Sequence, residues 1–63
     1  MDLSLKQVRL VKGKTQEEMA KILGVHVQTY RKIEETPEEA TIKQAKQISS
    51  FLGISYDDIF FAH

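Results

Sequence analysis

The sequence predicts an all-α domain, and three observations carry that prediction. Four hydroxyl residues are each followed three positions later by an acid or amide: Ser4 with Gln7, Thr15 with Glu18, Thr41 with Gln44, and Ser55 with Asp58. This is the capping-box pattern, in which the hydroxyl accepts from a free first-turn N–H while the later side chain bonds back to the cap. Gly13, Gly24 and Gly53 close the apolar stretches Leu10-Val11, Ile22-Leu23 and Phe51-Leu52, where a helix needs a left-handed end residue. Apolar residues recur at helical spacing, and no segment alternates with period two for long enough to make a strand.

The elements follow in order. A first helix at about 4–12 starts from Ser4, turns Leu5 and Val8 to one face, and ends at Gly13. The second, 16–23, starts from Thr15 and turns Met19, Ala20 and Leu23 inward. The third, 27–35, opens after His26, buries Tyr30 and Ile33, and is ended by Pro37, which cannot continue a helix. The fourth, 42–52, starts from Thr41, with Ile42, Ala45, Ile48 and Leu52 on its inner face. A fifth, 56–61, follows Ser55. Helices shorter than about 12–15 residues are marginal alone in water, so these must share one core. Residues 1–63 are therefore expected to form a single compact five-helix domain.

Composition narrows the function. The chain has 63 residues, 9 Lys+Arg against 9 Asp+Glu, and no Cys. Without Cys there is neither a disulfide framework nor a thiolate zinc site. No apolar run approaches the roughly 20 residues that span a bilayer, and the segment after Met1 is too polar for a signal peptide. A complete, cytoplasmic chain without membrane attachment is expected. Nothing suggests catalysis: there is no Cys nucleophile, no phosphate-cradling glycine motif and no isolated carboxylate pair. A core of this size also leaves no room for an ordinary substrate pocket. His26 and His63 have no acidic or histidine cluster beside them, so no metal, cofactor or small-molecule substrate is expected.

The zero net charge argues at first against a nucleic-acid partner. Its distribution argues otherwise. Residues 1–33 hold seven cations against three carboxylates, a net of +4, and residues 34–63 hold two against six, a net of −4. Such a polarised chain can present its basic half to a polyanion.

The informative stretch is Gln16 to Glu35, QEEMAKILGVHVQTYRKIEE. Two short helices are joined at Gly24-Val25-His26, and Ala20 is small enough for the second helix to approach the first. With Met19, Leu23, Val25, Tyr30 and Ile33 inward, the second helix keeps Val27, Gln28, Arg31 and Lys32 exposed. Gln and Arg are side chains able to form bidentate bonds to adenine and guanine edges in the major groove.

On these residues the chain resembles the helix-turn-helix of lambda-repressor-like regulators (Cro/repressor, xenobiotic-response-element type). The likeness rests on TQEEMAKILGV followed by QTYRKIE. It extends to Leu5-Lys6-Gln7-Val8-Arg9, Lys12-Gly13, Thr41-Ile42, Ile48, Leu52-Gly53-Ile54-Ser55 and Asp58-Ile59-Phe60 at ungapped spacing, nearly the whole chain. The resemblance implies a phage or bacterial repressor or Cro-like regulator, bound to double-stranded DNA at a palindromic operator and nucleoid-associated when bound. It implies base contacts from Val27, Gln28 and Lys32, and helical geometry adds Arg31 to them. A phosphate contact is implied for Gln16 and a structural salt bridge for Arg9 with Glu34; Lys14, Thr15, His26 and Thr29 are expected to contact phosphates beside Gln16. Phe51, Tyr56, Phe60 and Phe61 form an aromatic cluster expected at a homodimer interface.

Four departures from the family pattern stand out. His26 replaces the usual Ser or Thr cap of the recognition helix, Lys14 a common Leu, and Tyr30 an Ile or Val, so its hydroxyl needs a polar outlet. The acidic run 34–39 stands where the family carries Asn-Gly and basic residues near the DNA backbone. Its simplest reading is a solvated acidic loop. It also motivates a rival: a protein-interaction module on the same fold, antitoxin- or antirepressor-like, using that loop or the aromatic C-terminus.

Overall fold

In a computed structural model, residues 4–55 are described. They form four α-helices: α1 (Leu5–Val11), α2 (Gln16–Leu23), α3 (Val27–Glu35) and α4 (Ile42–Leu52), with a 3-10 turn at Pro37–Glu39 between α3 and α4. The expected fifth helix, 56–61, lies outside the described residues, as does Asp58, the expected capping partner of Ser55. No strand occurs among those described.

The helices begin where local chemistry tells them to. Ser4, Thr15 and Thr41 each accept from the backbone N–H three residues on, and Gln7, Glu18 and Gln44 bond back to the cap N–H. Each reciprocal pair satisfies donors that the first turn leaves open. His26 also has cap geometry, but its ring makes no capping bond. The third helix therefore starts without side-chain help and is held by its packing.

Gly24 makes the α2–α3 turn. Its φ is +69°, a conformation that costs an L-residue about 1–2 kcal/mol. From it, the Gly24 N–H reaches Lys21 O at 3.2 Å and the Val25 N–H reaches Ala20 O at 3.0 Å, closing the end of α2. A Cβ at Gly24 would meet nothing within 4 Å, so only the backbone resists substitution. Gly24→Ala is expected to lower stability by about 1 kcal/mol, measurable as a lower urea midpoint with an unchanged m-value.

The core is one cluster: Leu5 and Val8 from α1, Met19 and Ala20 from α2, Tyr30 and Ile33 from α3, and Ala45, Ile48 and Leu52 from α4. Tyr30, Leu5, Met19 and Ile48 are fully enclosed. Helix α2 packs most extensively on α3, with Ala20 buried between them as the spacing predicts.

Three expectations fail in the packing. Ile42, placed by periodicity on the inner face of α4, is 65% exposed. It is the first residue of its helix, and helical side chains lean toward the N-terminus, so it overhangs the last packed layer. The acidic run is not one loop: Glu34 and Glu35 complete α3, Glu38 and Glu39 lie on the 3-10 turn, and Glu34 is not solvated. Tyr30 finds no outlet, because its hydroxyl is buried with no hydrogen-bond partner among the described residues. Burial, then the nearby Glu34 carboxylate, push its ionisation far above the ordinary phenol range, so it stays neutral. Tyr30→Phe removes an unsatisfied buried group while keeping the ring. It is expected to stabilise the fold by about 1 kcal/mol in denaturant unfolding; a loss of stability would show that the hydroxyl is partnered.

Candidate nucleic-acid interface

Burial of one side of α3 defines the other. Tyr30 and Ile33 face the core, leaving Gln28, Thr29, Arg31, Lys32 and Glu35 exposed. Val27 was expected on that exposed face but is half-buried against the core. It opens α3, and its side chain leans back over the turn that precedes it.

A chain of polar contacts fixes this helix to α1 and α2. Arg9 Nε donates to Glu34 Oε2 at 2.5 Å, and a second Arg9 nitrogen donates to the Lys14 carbonyl at 2.8 Å. One guanidinium thus ties α1 to α3 and to the approach to α2. Both side chains of this pair are almost wholly enclosed, at 7% and 5% exposure. Gln16 continues the chain: its Nε2 donates to Glu34 Oε1 at 3.1 Å, and its Oε1 accepts from Arg31 Nε at 3.0 Å. The amide nitrogen carries two hydrogens, so one remains for a further acceptor.

The charges in this chain are set by their neighbours. Burial opposes ionisation of Glu34, but hydrogen bonds from Arg9 and Gln16 and the charge of Arg9 prevail, holding its carboxyl below the usual range. The bond to Glu34 likewise raises Arg9 despite its burial. At the start of α2, the Thr15 backbone N–H holds the Glu18 carboxyl below its ordinary value.

The remaining expected contacts fall in different places. His26 and Thr29 are exposed at the start of α3, and Thr15 is exposed with its oxygen engaged in the cap. Lys14 lies over α4: its ammonium sits 5.1 Å from the centre of the Phe51 ring, a cation–π distance. Phe51 is half-buried against this chain's own core, which reduces what it can offer a second copy. Tyr56, Phe60 and Phe61 lie outside the described residues. Sequence reasoning gave no role to Lys6, yet it lines a cleft of about 400 Å³ together with Ser4, Gln16, Arg31, Glu34 and Glu35. Its only sequence signal is that Lys6 lies one residue from the inward Leu5.

Among the described residues, no group of His, Asp or Glu side chains is arranged to hold a metal, and no helix is long and apolar enough to cross a membrane. What the site presents is a short polar and basic helix face on a rigid two-helix support.

Comparison with known proteins places this arrangement. A helix-turn-helix family model matches residues 5–59. The chain belongs to the lambda-repressor-like helix-turn-helix family. That family is a DNA-binding class and not an enzymatic one. The chain is also similar to an HTH-type transcriptional regulator of Methanocaldococcus jannaschii, itself uncharacterised, with 40% identity over 60 residues, 95% of this chain and 91% of the relative. No solved structure matches. In helix-turn-helix terms, α2 is the first helix of the motif and α3 the second.

Proposed function

We propose that this chain is a sequence-specific DNA-binding transcriptional regulator that inserts α3 into the major groove. The observation that carries the reading is the division of α3: Tyr30 and Ile33 are locked in the core while Gln28, Arg31 and Lys32 project from the opposite side. Gln28 suits an adenine edge, Lys32 a guanine edge, and the exposed part of Val27 a thymine methyl. Gln16, with one amide hydrogen uncommitted, suits a backbone phosphate at the mouth of the groove. Thr15, His26 and Thr29 flank it; Lys14 reaches DNA only by leaving Phe51.

One recognition helix spans few base pairs. Two copies on a palindrome, with half-sites about 34 Å apart, would give a usable site length, and the aromatic positions Tyr56, Phe60 and Phe61 suit such pairing. Residues 1–63 act as one domain in this reading, in the cytoplasm, and occupancy of an operator gives repressor or Cro-like action.

The interface is tested by titrating isotope-labelled protein with duplex DNA at low salt and following backbone amide shifts. Shifts should concentrate on Gln16–Glu17 and Val27–Lys32. Shifts confined to the 3-10 turn and α4 would contradict the reading.

A further inference from the structure

Exposure says that a guanidinium can touch DNA; its heading says which part. Arg31 lies on the open side of α3, yet its Nε is bonded to Gln16 Oε1. The side chain is thereby drawn back toward the N-terminus of α2. Gln16 is itself fixed, because its Nε2 is bonded to Glu34 and Glu34 is paired with Arg9. The Arg31 head thus lines the same cleft as Lys6 of α1. Three helices bring two cations and an amide N–H to one opening.

We propose that Lys6, Gln16 and Arg31 form a single clamp for a phosphodiester of the DNA backbone, so that Arg31 positions the protein and does not read a base. The proposal rests on the DNA-binding reading above. A free anion is a poorer fit than a backbone phosphate, since Glu35 also lines the cleft and its carboxylate is exposed. That repulsion is overcome when the rest of a duplex holds the phosphate in place. Glu34 adds little repulsion, its charge being met by Arg9.

Phosphate contacts carry no sequence information. They do carry salt dependence, each neutralised phosphate adding about 0.9 to the slope of log affinity against log salt. The two roles of an arginine are therefore separable by experiment. Full-length wild type, Lys6→Ala, Arg31→Ala and the double variant are titrated by fluorescence anisotropy against the preferred duplex and against scrambled duplexes, between about 50 and 200 mM salt. Each single variant is expected to bind preferred and scrambled duplexes more weakly by one common factor, roughly three- to tenfold at the lower salt, and to lose part of the slope; the Lys6→Ala/Arg31→Ala double variant loses about the 0.9 unit of the one shared phosphate. Base preferences should be unchanged.

The clamp is overturned if Arg31→Ala relaxes preference at one base pair while scrambled affinity holds. It is also overturned if removing both cations together leaves the slope unaltered. Inorganic phosphate should compete no better than chloride at equal ionic strength, and competition by it would overturn the backbone assignment. Wild type that fails to distinguish preferred from scrambled duplex would sink sequence-specific reading itself, a failure visible in the wild-type curves alone.

Discussion

Glu34→Ala is expected to cost about 3–5 kcal/mol of folding stability, because it strands the Arg9 guanidinium, nearly fully enclosed, without its counter-charge. A chain of 63 residues has a total stability on the order of 3–9 kcal/mol. The variant should therefore melt at least about 12 °C lower by circular dichroism or be largely unfolded at room temperature. A fall of only a few degrees would mean the pair behaves as a solvated surface bridge, worth about 1 kcal/mol or less. The loss should reach function too, since Glu34 also holds Gln16, and Gln16 holds Arg31.

The same carboxylate gives a pH dependence of definite sign. Glu34 is held below the ordinary range in the folded state, so the unfolded chain binds its proton more readily. The stability it contributes is complete above the unfolded carboxylate value and is lost as pH falls through the lowered folded value. Glu18 acts in the same direction. Unfolding midpoints in urea should therefore drop on acidification from about pH 6 to pH 3, and removing the Glu34 carboxylate should flatten that drop without abolishing it.

Gln28→Ala is expected to have the largest effect on recognition. Gln28 is exposed on α3 with no hydrogen bond to the described residues that would have to break, and the fold should tolerate its loss. A bidentate base contact is worth about 1–3 kcal/mol of discrimination. Affinity for the preferred duplex should fall by about that amount while affinity for scrambled duplexes stays the same. An equal fall on all duplexes would reassign Gln28 to the backbone.

The contrast between Gln28 and Arg31 shows where sequence reasoning stops. Helix starts were legible because a capping box is local: Thr15 and Glu18 satisfy each other across one turn whatever the remainder of the chain does. The turn at Gly24 was legible for the same reason. The pairing of Arg9 with Glu34, 25 residues apart, could be anticipated only through resemblance to a family, since no local pattern links α1 to α3. What stayed hidden depends on side-chain direction in three dimensions. Periodicity put Ile42 inside, but it could not show that the helix begins beyond the packed layer. Lys14 was expected on a phosphate and Arg31 on a base, yet one lies over Phe51 and the other is drawn back to Gln16. Nor does a pattern of letters reveal that the Tyr30 hydroxyl meets no partner among the described residues.

The central claim is that the exposed side of α3 reads a DNA sequence, and selection from random duplexes at one stated salt concentration tests it most directly. The full chain is expected to enrich a defined motif, and repeating the selection with Gln28→Ala is expected to leave the motif intact except at one base pair in each half-site. Recovery of no consensus, with only weak binding that disappears as salt rises, would contradict it.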